Sequence, residues 1–153
     1  MTMELWTDGS CIGNGKENNS GGWSYIIVRE GQIIDKRYGS ESNTTNNRME
    51  MQAVIEALKY ALKEADFDEN VIVCSDSAYV VNCIKDKWYR RWIANDWYNV
   101  KNPDLWKEIL SLYESFGDNI TFKKVKGHKG VVNNELCDML ARKGSEEARI
   151  NKK

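Results

Sequence analysis

The stretch Leu5-Trp6-Thr7-Asp8-Gly9-Ser10 sets the organisation of this 153-residue chain. Apolar and β-favouring residues lead directly into an aspartate, a glycine and a polar loop, a pattern that predicts a strand ending at Asp8. An aspartate at a strand end can turn its carboxylate toward a metal ion or a substrate. Because an Asp-Gly pair is also a common turn former, Asp8 gains functional meaning only from further acids along the chain.

Hydrophobic periodicity on either side of this stretch predicts an α/β fold, with a five-stranded mixed sheet flanked by helices. The predicted strands cover residues 3–8, 23–30, 32–39, 71–76 and 119–126. Gly31 separates the second and third strands, which indicates a hairpin. The predicted helices cover residues 48–64 and 77–85, a segment that starts near Pro103, and residues 134–147.

Length and composition indicate one domain over residues 1–153, with a core of about 3–147 and a short charged tail. The apolar runs are too short to cross a bilayer and no leader precedes them, so we expect a cytoplasmic protein without a membrane partner. The four cysteines lack the spacing of a zinc site or a disulfide framework. The net charge is −1, yet residues 85–101 and 123–129 are locally basic, which is compatible with phosphate binding.

Acidic residues occupy special positions in four segments: Asp8, Glu50, Asp76 and Asp138. Asp76 ends the predicted central strand, and Glu50 heads an apolar row of the first helix. A crossover helix returns the chain parallel to the first strand, so Asp8 and Asp76 could be neighbours. Helix capping at Asn47–Glu50 and the helix dipole at Asp138 are alternative explanations for two of these acids.

Clustered carboxylates repel each other unless they are protonated or neutralised by cations. Mg²⁺ prefers oxygen ligands and combines carboxylates with substrate phosphate oxygens. Two such ions, roughly 3.5 to 4 Å apart, can clamp a phosphodiester. The acids therefore favour phosphodiester hydrolysis.

A basic, aromatic segment over residues 86–101 includes Arg90, Arg91 and Trp92. It is either an ordinary packed helix pair or an arm that lies along a nucleic-acid backbone. The chain's single histidine, His128, lies between glycines and lysines. It is either a surface residue or a functional one.

In order and spacing, five short motifs resemble those of bacterial type 1 ribonuclease H. They are residues 7–10, 44–50, 76–80, 126–128 and 134–138, and the resemblance covers about residues 3–147. It implies the ribonuclease H fold, and cleavage within the RNA strand of an RNA/DNA hybrid. It also implies two Mg²⁺ ions, or Mn²⁺ in their place, and products with 5′-phosphate and 3′-hydroxyl ends. We separately expect a monomer.

The resemblance also implies roles for individual residues. The metal-binding carboxylates would be Asp8, Glu50, Asp76 and Asp138, and His128 would assist proton transfer or product release. Minor-groove contacts would come from Asn14, Asn46 and Asn47, where the RNA 2′-hydroxyl is exposed. A DNA phosphate would be held by Thr45 and Asn102. Apart from the resemblance, the basic and aromatic character of the arm makes Arg90, Arg91 and Trp92 candidates for substrate binding.

Two segments depart from the bacterial pattern. The loop over residues 15–20 is longer, and the arm between Ile84 and Trp106 is shorter, with Trp97 and Tyr98 where lysines are frequent. We therefore expect salt-sensitive binding with a modest slope. Three alternatives stay open: a non-catalytic hybrid-binding module, an enzyme acting on another nucleic acid, and a structural interaction domain that uses the tryptophan-rich arm.

Overall fold

A five-stranded mixed sheet with the strand order β3-β2-β1-β4-β5 forms the centre of the molecule. It is seen in a computed structural model that describes residues 1–125 and 132–151. The strands are β1 (Thr2–Ile12), β2 (Ser20–Arg29), β3 (Gln32–Ser42), β4 (Asn70–Ser75) and β5 (Ile120–Lys124). The helices are α1 (Asn46–Glu64), α2 (Ala78–Lys85), α3 (Tyr89–Ala94), α4 (Pro103–Glu114) and α5 (Val132–Asn151). The predicted fold class is confirmed.

The sheet divides into an antiparallel and a parallel half. β2 pairs antiparallel with both β1 and β3, whereas β4 pairs parallel with both β1 and β5. Glu30 and Gly31 join β2 to β3, and both have positive φ angles of 52° and 75°. Such angles suit the two-residue turns that match strand twist, so the predicted hairpin at Gly31 is confirmed.

Each face of the sheet buries its own apolar cluster, since successive side chains of a strand point to opposite faces. On one face Ile27 packs in a large cluster with Ile55 of α1 and Trp106 of α4. On the other face Ile26 packs with Cys137 of α5. The sheet is therefore held between α5 and the remaining helices.

Glycines let α5 lie directly on the sheet. A Cβ atom added to Gly22 of β2 would come within 2.8 Å of the Gly144 carbonyl carbon in α5. A Cβ on Gly144 would in turn come within 3.1 Å of Gly22 Cα and collide with the Gly39 carbonyl oxygen of β3. Side chains at these positions would lift the helix and everything it carries.

Several predicted boundaries were wrong. β1 continues four residues past Asp8 to Ile12 because Ser10, Cys11 and Ile12 still pair with β2. The N-cap of α1 is Thr45, whose hydroxyl accepts from the Arg48 N–H at 3.1 Å, and not Asn47.

Two helical predictions also need correction. Leu62, predicted to lie in the apolar row of α1, is 48% exposed. The closing helix extends beyond the predicted 134–147 at both ends. No helix in the described part of the chain is long and apolar enough to cross a membrane.

Candidate active site

The sheet places Asp8 beside Asp76. Thr7 and Ser75 are the last parallel pair between β1 and β4, and beyond them β1 pairs with β2 alone. Asp8 and Asp76 therefore follow equivalent positions of adjacent strands. The residue after Asp76 is held as well, since the Ser77 hydroxyl caps α2 by accepting from the Val80 N–H.

Glu50 of α1 reaches the same point because Gly9 has no side chain. A Cβ on Gly9 would come within 2.6 Å of the Met49 carbonyl carbon and collide with the Glu50 nitrogen. The start of α1 thus lies against the β1 backbone directly after Asp8. Carboxylate oxygens of Asp8, Glu50 and Asp76 all lie within 4.8 Å of one another.

Asp138 arrives from α5. It lines the same pocket of about 490 Å³ as the other three acids, and its carboxylate pairs with Arg142 Nε at 3.1 Å. The preceding residue anchors this turn, since Ser24 Oγ donates to the Cys137 carbonyl at 2.5 Å. The structure therefore brings all four predicted carboxylates to one pocket.

Burial and mutual repulsion oppose ionisation in the cluster. Asp8 is 2% exposed, and burial followed by the charge of Asp76 raises its pKa to about 7. Burial, together with the charges of Asp8 and Asp76, raises the pKa of Glu50 well above its ordinary value. Ionised together, these groups would need a compensating positive charge.

The atoms present fit a hard divalent cation. Asp8 Oδ2 and Glu50 Oε2 are buried without a hydrogen-bond partner within residues 1–125 and 132–151. Buried carboxylate oxygens without donors are ready ligands, and an oxygen-only set suits Mg²⁺ or Mn²⁺. Asp8, Glu50 and Asp76 form the inner group, with Asp138 at the wall of the pocket.

A second open pocket, of about 630 Å³, adjoins the start of α1. It is lined by Asn14, Gly15, Thr45, Asn46, Asn47, Lys101 and Asn102, which include all five of the amide and hydroxyl residues predicted to bind substrate. Asn46 and Asn47 also line the carboxylate pocket. The two pockets therefore form one continuous surface.

Within residues 1–125 and 132–151, hydrogen bonds around this second pocket engage acceptor oxygens and leave donors without a partner. Asn14 Oδ1 accepts from the Asn46 N–H, and Asn102 Oδ1 accepts from Arg48 Nη1, both at 3.1 Å. Since Thr45 Oγ1 accepts from the Arg48 N–H, its hydroxyl proton remains available. With their acceptor oxygens engaged, Asn14 and Asn102 have amide N–H groups to offer, a set that suits an anion such as phosphate.

The basic, aromatic arm lies apart from the carboxylates. Arg90 and Arg91 are exposed on α3 and line a separate pocket of about 390 Å³. Trp92 is half-buried, with its ring centroid 6.0 Å from Trp97 and 5.4 Å from Trp106. The arm is thus a packed aromatic unit with arginines on its surface. His128 lies outside the described residues.

Comparison with known proteins identifies the family. The RNase H family model matches residues 1–146. The chain belongs to the ribonuclease H family. The ribonuclease H of Caldicellulosiruptor saccharolyticus is 43% identical over 150 residues, which cover 95% of this chain and 97% of that protein. Ribonuclease HI of Neisseria meningitidis serogroup A is 40% identical over 96% of this chain and 97% of its own length.

A solved structure shares the fold. LC11-RNase H1, crystallised in complex with an RNA/DNA hybrid, has a TM-score of 0.72 at 23% identity, over 96% of this chain and 99% of its own. At this identity the likeness shows the fold alone. From its membership of the ribonuclease H family, the chain is a hydrolase of the nuclease class.

Sequence reasoning missed residues that shape the two pockets but are not among the predicted site residues. Gly9 admits α1, and Arg48 holds Asn102 while pairing with Asp104 at 2.8 Å. A glycine directly after a candidate acid was a usable signal for close backbone approach. Nothing in the local sequence indicates that Arg48 reaches residues more than fifty positions away.

Proposed function

We propose that this ribonuclease H is an endonuclease that hydrolyses the RNA strand of RNA/DNA hybrids with two Mg²⁺ ions, leaving 5′-phosphate and 3′-hydroxyl ends. Mn²⁺ is proposed as a substitute ion. The observation that carries the proposal is the group of three carboxylates within 4.8 Å, with buried, unpartnered oxygens on Asp8 and Glu50. An anion-binding surface that continues from this group supports a phosphodiester substrate.

Asp8, Glu50, Asp76 and Asp138 would hold the ions. When bound, divalent ions make water a stronger nucleophile and stabilise charge on the leaving oxygen. The fold of the chain positions the metal-binding acids. Adjacent strands fix Asp8 and Asp76, and the close contact at Gly9 fixes Glu50. Arg142 steadies the Asp138 carboxylate at the wall of the pocket.

Recognition of the hybrid would rest on the amide surface. We propose that Asn14, Asn46 and Asn47 contact the minor groove, where 2′-hydroxyls distinguish RNA from DNA. Thr45 and Asn102 would hold a phosphate of the DNA strand. This assignment is supported by the donors that the internal hydrogen bonds leave available in this pocket.

The arm would extend the contact along the backbone. We propose that Arg90 and Arg91, exposed on α3, meet phosphates, while Trp92 contributes to this surface and packs against Trp97 and Trp106. His128 is proposed to assist proton transfer or product release, on its sequence motif alone. The single domain, the monomeric state, the cytoplasmic location and the modest salt slope stay predictions.

The proposal is tested by cleavage of a hybrid duplex labelled on the RNA strand, with Mg²⁺ and with EDTA. Wild-type protein should cut the hybrid at several internal positions with Mg²⁺, and cut neither DNA duplex nor single-stranded RNA. Products should be extended by a polymerase without prior phosphatase treatment, because extension needs a 3′-hydroxyl.

Asp8→Asn provides the decisive variant, since it removes a charged ligand with little change of shape. Its cleavage rate should fall by a factor of at least about 100, whereas the exposed Asp68→Asn should keep the wild-type rate. Tight hybrid binding by wild-type protein without cutting would favour a binding module. Preferential cutting of another nucleic acid would favour a different substrate.

A further inference from the structure

We infer that Asn19 is a positioning residue that sets the geometry of the amide surface for hybrid binding. This inference rests on the proposed function of that surface. Asn19 lies at the end of the loop between β1 and β2 and lines neither the carboxylate pocket nor the amide pocket. Its effect would pass through the residues it holds.

Asn19 joins two chain segments by paired hydrogen bonds. Its Oδ1 accepts from the Thr44 N–H and its Nδ2 donates to the Thr44 carbonyl, both at 2.7 Å. Nδ2 also donates to the Lys16 carbonyl within its own loop at 3.2 Å, and the Asn43 N–H donates to the Asn19 carbonyl at 3.1 Å. One side chain thus satisfies both backbone groups of Thr44.

Burial makes these bonds specific. Asn19 is 8% exposed and Thr44 is 6% exposed, so water cannot readily replace a lost partner. Buried backbone groups need partners, and the paired geometry needs a donor and an acceptor on one short side chain. We therefore expect loss of the Asn19 side chain to loosen the loop relative to the residues after Thr44.

The held segments carry the proposed substrate contacts. Thr44 is followed directly by Thr45, Asn46 and Asn47, and the loop that Asn19 closes contains Asn14. Asn14 Oδ1 accepts from the Asn46 N–H, so the loop meets the start of α1 a second time. Gly13 and Gly15 have positive φ angles of 75° and 85°, and such a backbone has few constraints of its own.

The carboxylates depend on other contacts. Asp8 and Asp76 are placed by the pairing of β1 with β4, and Glu50 by the approach at Gly9. Loss of Asn19 should therefore disturb hybrid binding more than the chemical step. The expected signature is a rise in KM for the hybrid with little change in kcat.

The test compares steady-state hydrolysis of the hybrid by wild type, Asn19→Ala, Asn14→Ala and the double variant. Asn19→Ala should raise KM about five- to twenty-fold and leave kcat within about two-fold. Because Asn19 acts partly through Asn14, the double variant should raise KM by less than the product of the two single effects.

Two further variants separate positioning from loss of stability. Asn19→Asp keeps the oxygen that accepts from the Thr44 N–H but sets a second, acceptor oxygen against the Thr44 and Lys16 carbonyls. Its KM should therefore be at least as high as that of Asn19→Ala. Glu69→Gln weakens a buried polar residue that ties a loop at the opposite end of β4. It should lower thermal stability without raising KM.

The inference is overturned if Asn19→Ala leaves KM unchanged, if it lowers kcat alone, or if Glu69→Gln raises KM to the same extent. Should Asn19→Ala not fold, Asn19→Asp alone decides, and a wild-type KM in that variant overturns the inference. Absence of hybrid cleavage by wild-type protein would instead refute the proposed function, whatever the behaviour of the variants.

Discussion

Replacing Asp8 with asparagine should stabilise the metal-free protein while abolishing its activity. Burial and the neighbouring Asp76 raise the pKa of Asp8 from 3.8 to about 7. Each pKa unit between the folded and unfolded states corresponds to about 1.4 kcal/mol. Keeping Asp8 ionised in the folded protein therefore costs about 4 kcal/mol, and asparagine removes that cost at nearly constant shape.

The expected gain in unfolding free energy is about 2 to 4 kcal/mol at pH 8, since Glu50 and Asp76 share the repulsion and relax with it. The direction of the pH dependence of stability follows from the linkage between folding and proton binding. An acid whose pKa is raised by folding costs no stability well below pH 3.8, costs progressively more between pH 3.8 and pH 7, and reaches the full cost above pH 7. The advantage of asparagine should therefore nearly vanish at pH 4.

Urea unfolding in EDTA, followed by tryptophan fluorescence or circular dichroism at pH 8 and pH 4, measures the effect. The exposed Asp68→Asn is the matched control and should change stability little at either pH. Saturating Mg²⁺ should narrow the difference, because the wild type binds the ions more tightly than the variant does. Equal stability at pH 8, or a gain of the same size at pH 4, would refute the reasoning.

Three further variants test contacts around the site. Gly9→Ala should lower the unfolding free energy by about 2 kcal/mol or more and reduce the rate of hydrolysis, because the added methyl group forces α1 away from β1. An unfolding free energy and a hydrolysis rate equal to those of the wild type would contradict the close approach of α1 to β1. Glu69→Gln should lower stability by about 2 kcal/mol at pH 7, since it weakens the partly buried pair with Arg29. Because that pair lowers the pKa of Glu69 below 4.5, the loss of stability should be smaller in unfolding curves recorded at pH 3. Arg48→Lys should raise KM for the hybrid several-fold with little loss of stability, because a lysine cannot bind Asn102 and the Asp104 carboxylate at once. An unchanged KM would show that Asn102 does not depend on Arg48 for its position.

Hydrophobic periodicity in the sequence located the strands and helices because the buried residues of this fold recur at the spacing of each element. The run at residues 71–76 predicted a central strand, and β4 is paired on both sides. Asp76, the last residue of that run, directly follows the end of β4 at Ser75, whereas Asp8 lies inside a longer strand. A glycine after an aspartate resembles a turn in sequence, and only the continued pairing with β2 shows that the strand goes on.

The contacts that sequence could not predict are those between distant segments. Asn19 meets Thr44 across 25 positions, and Ser24 meets Cys137 across 113. Neither pair shows a periodic signal, because each is a single hydrogen-bonded contact whose geometry depends on the completed sheet. The acids themselves were accessible to sequence reasoning since their charge is conspicuous where apolar residues or strand ends are expected.

The repulsion among the acids is balanced by interactions elsewhere in the fold. The clusters on both faces of the sheet, the close packing of Gly22 against Gly144, and the anchor at Cys137 hold the carboxylates together without help from the carboxylates themselves. Cation binding relieves the same repulsion, so part of the cation affinity of this site reflects the free energy that the metal-free protein loses by keeping the acids close. A substitution that removes one of these charges relieves the repulsion, so it must stabilise the fold and weaken cation binding at the same time. At Asp8, the same electrostatic repulsion therefore sets stability against activity.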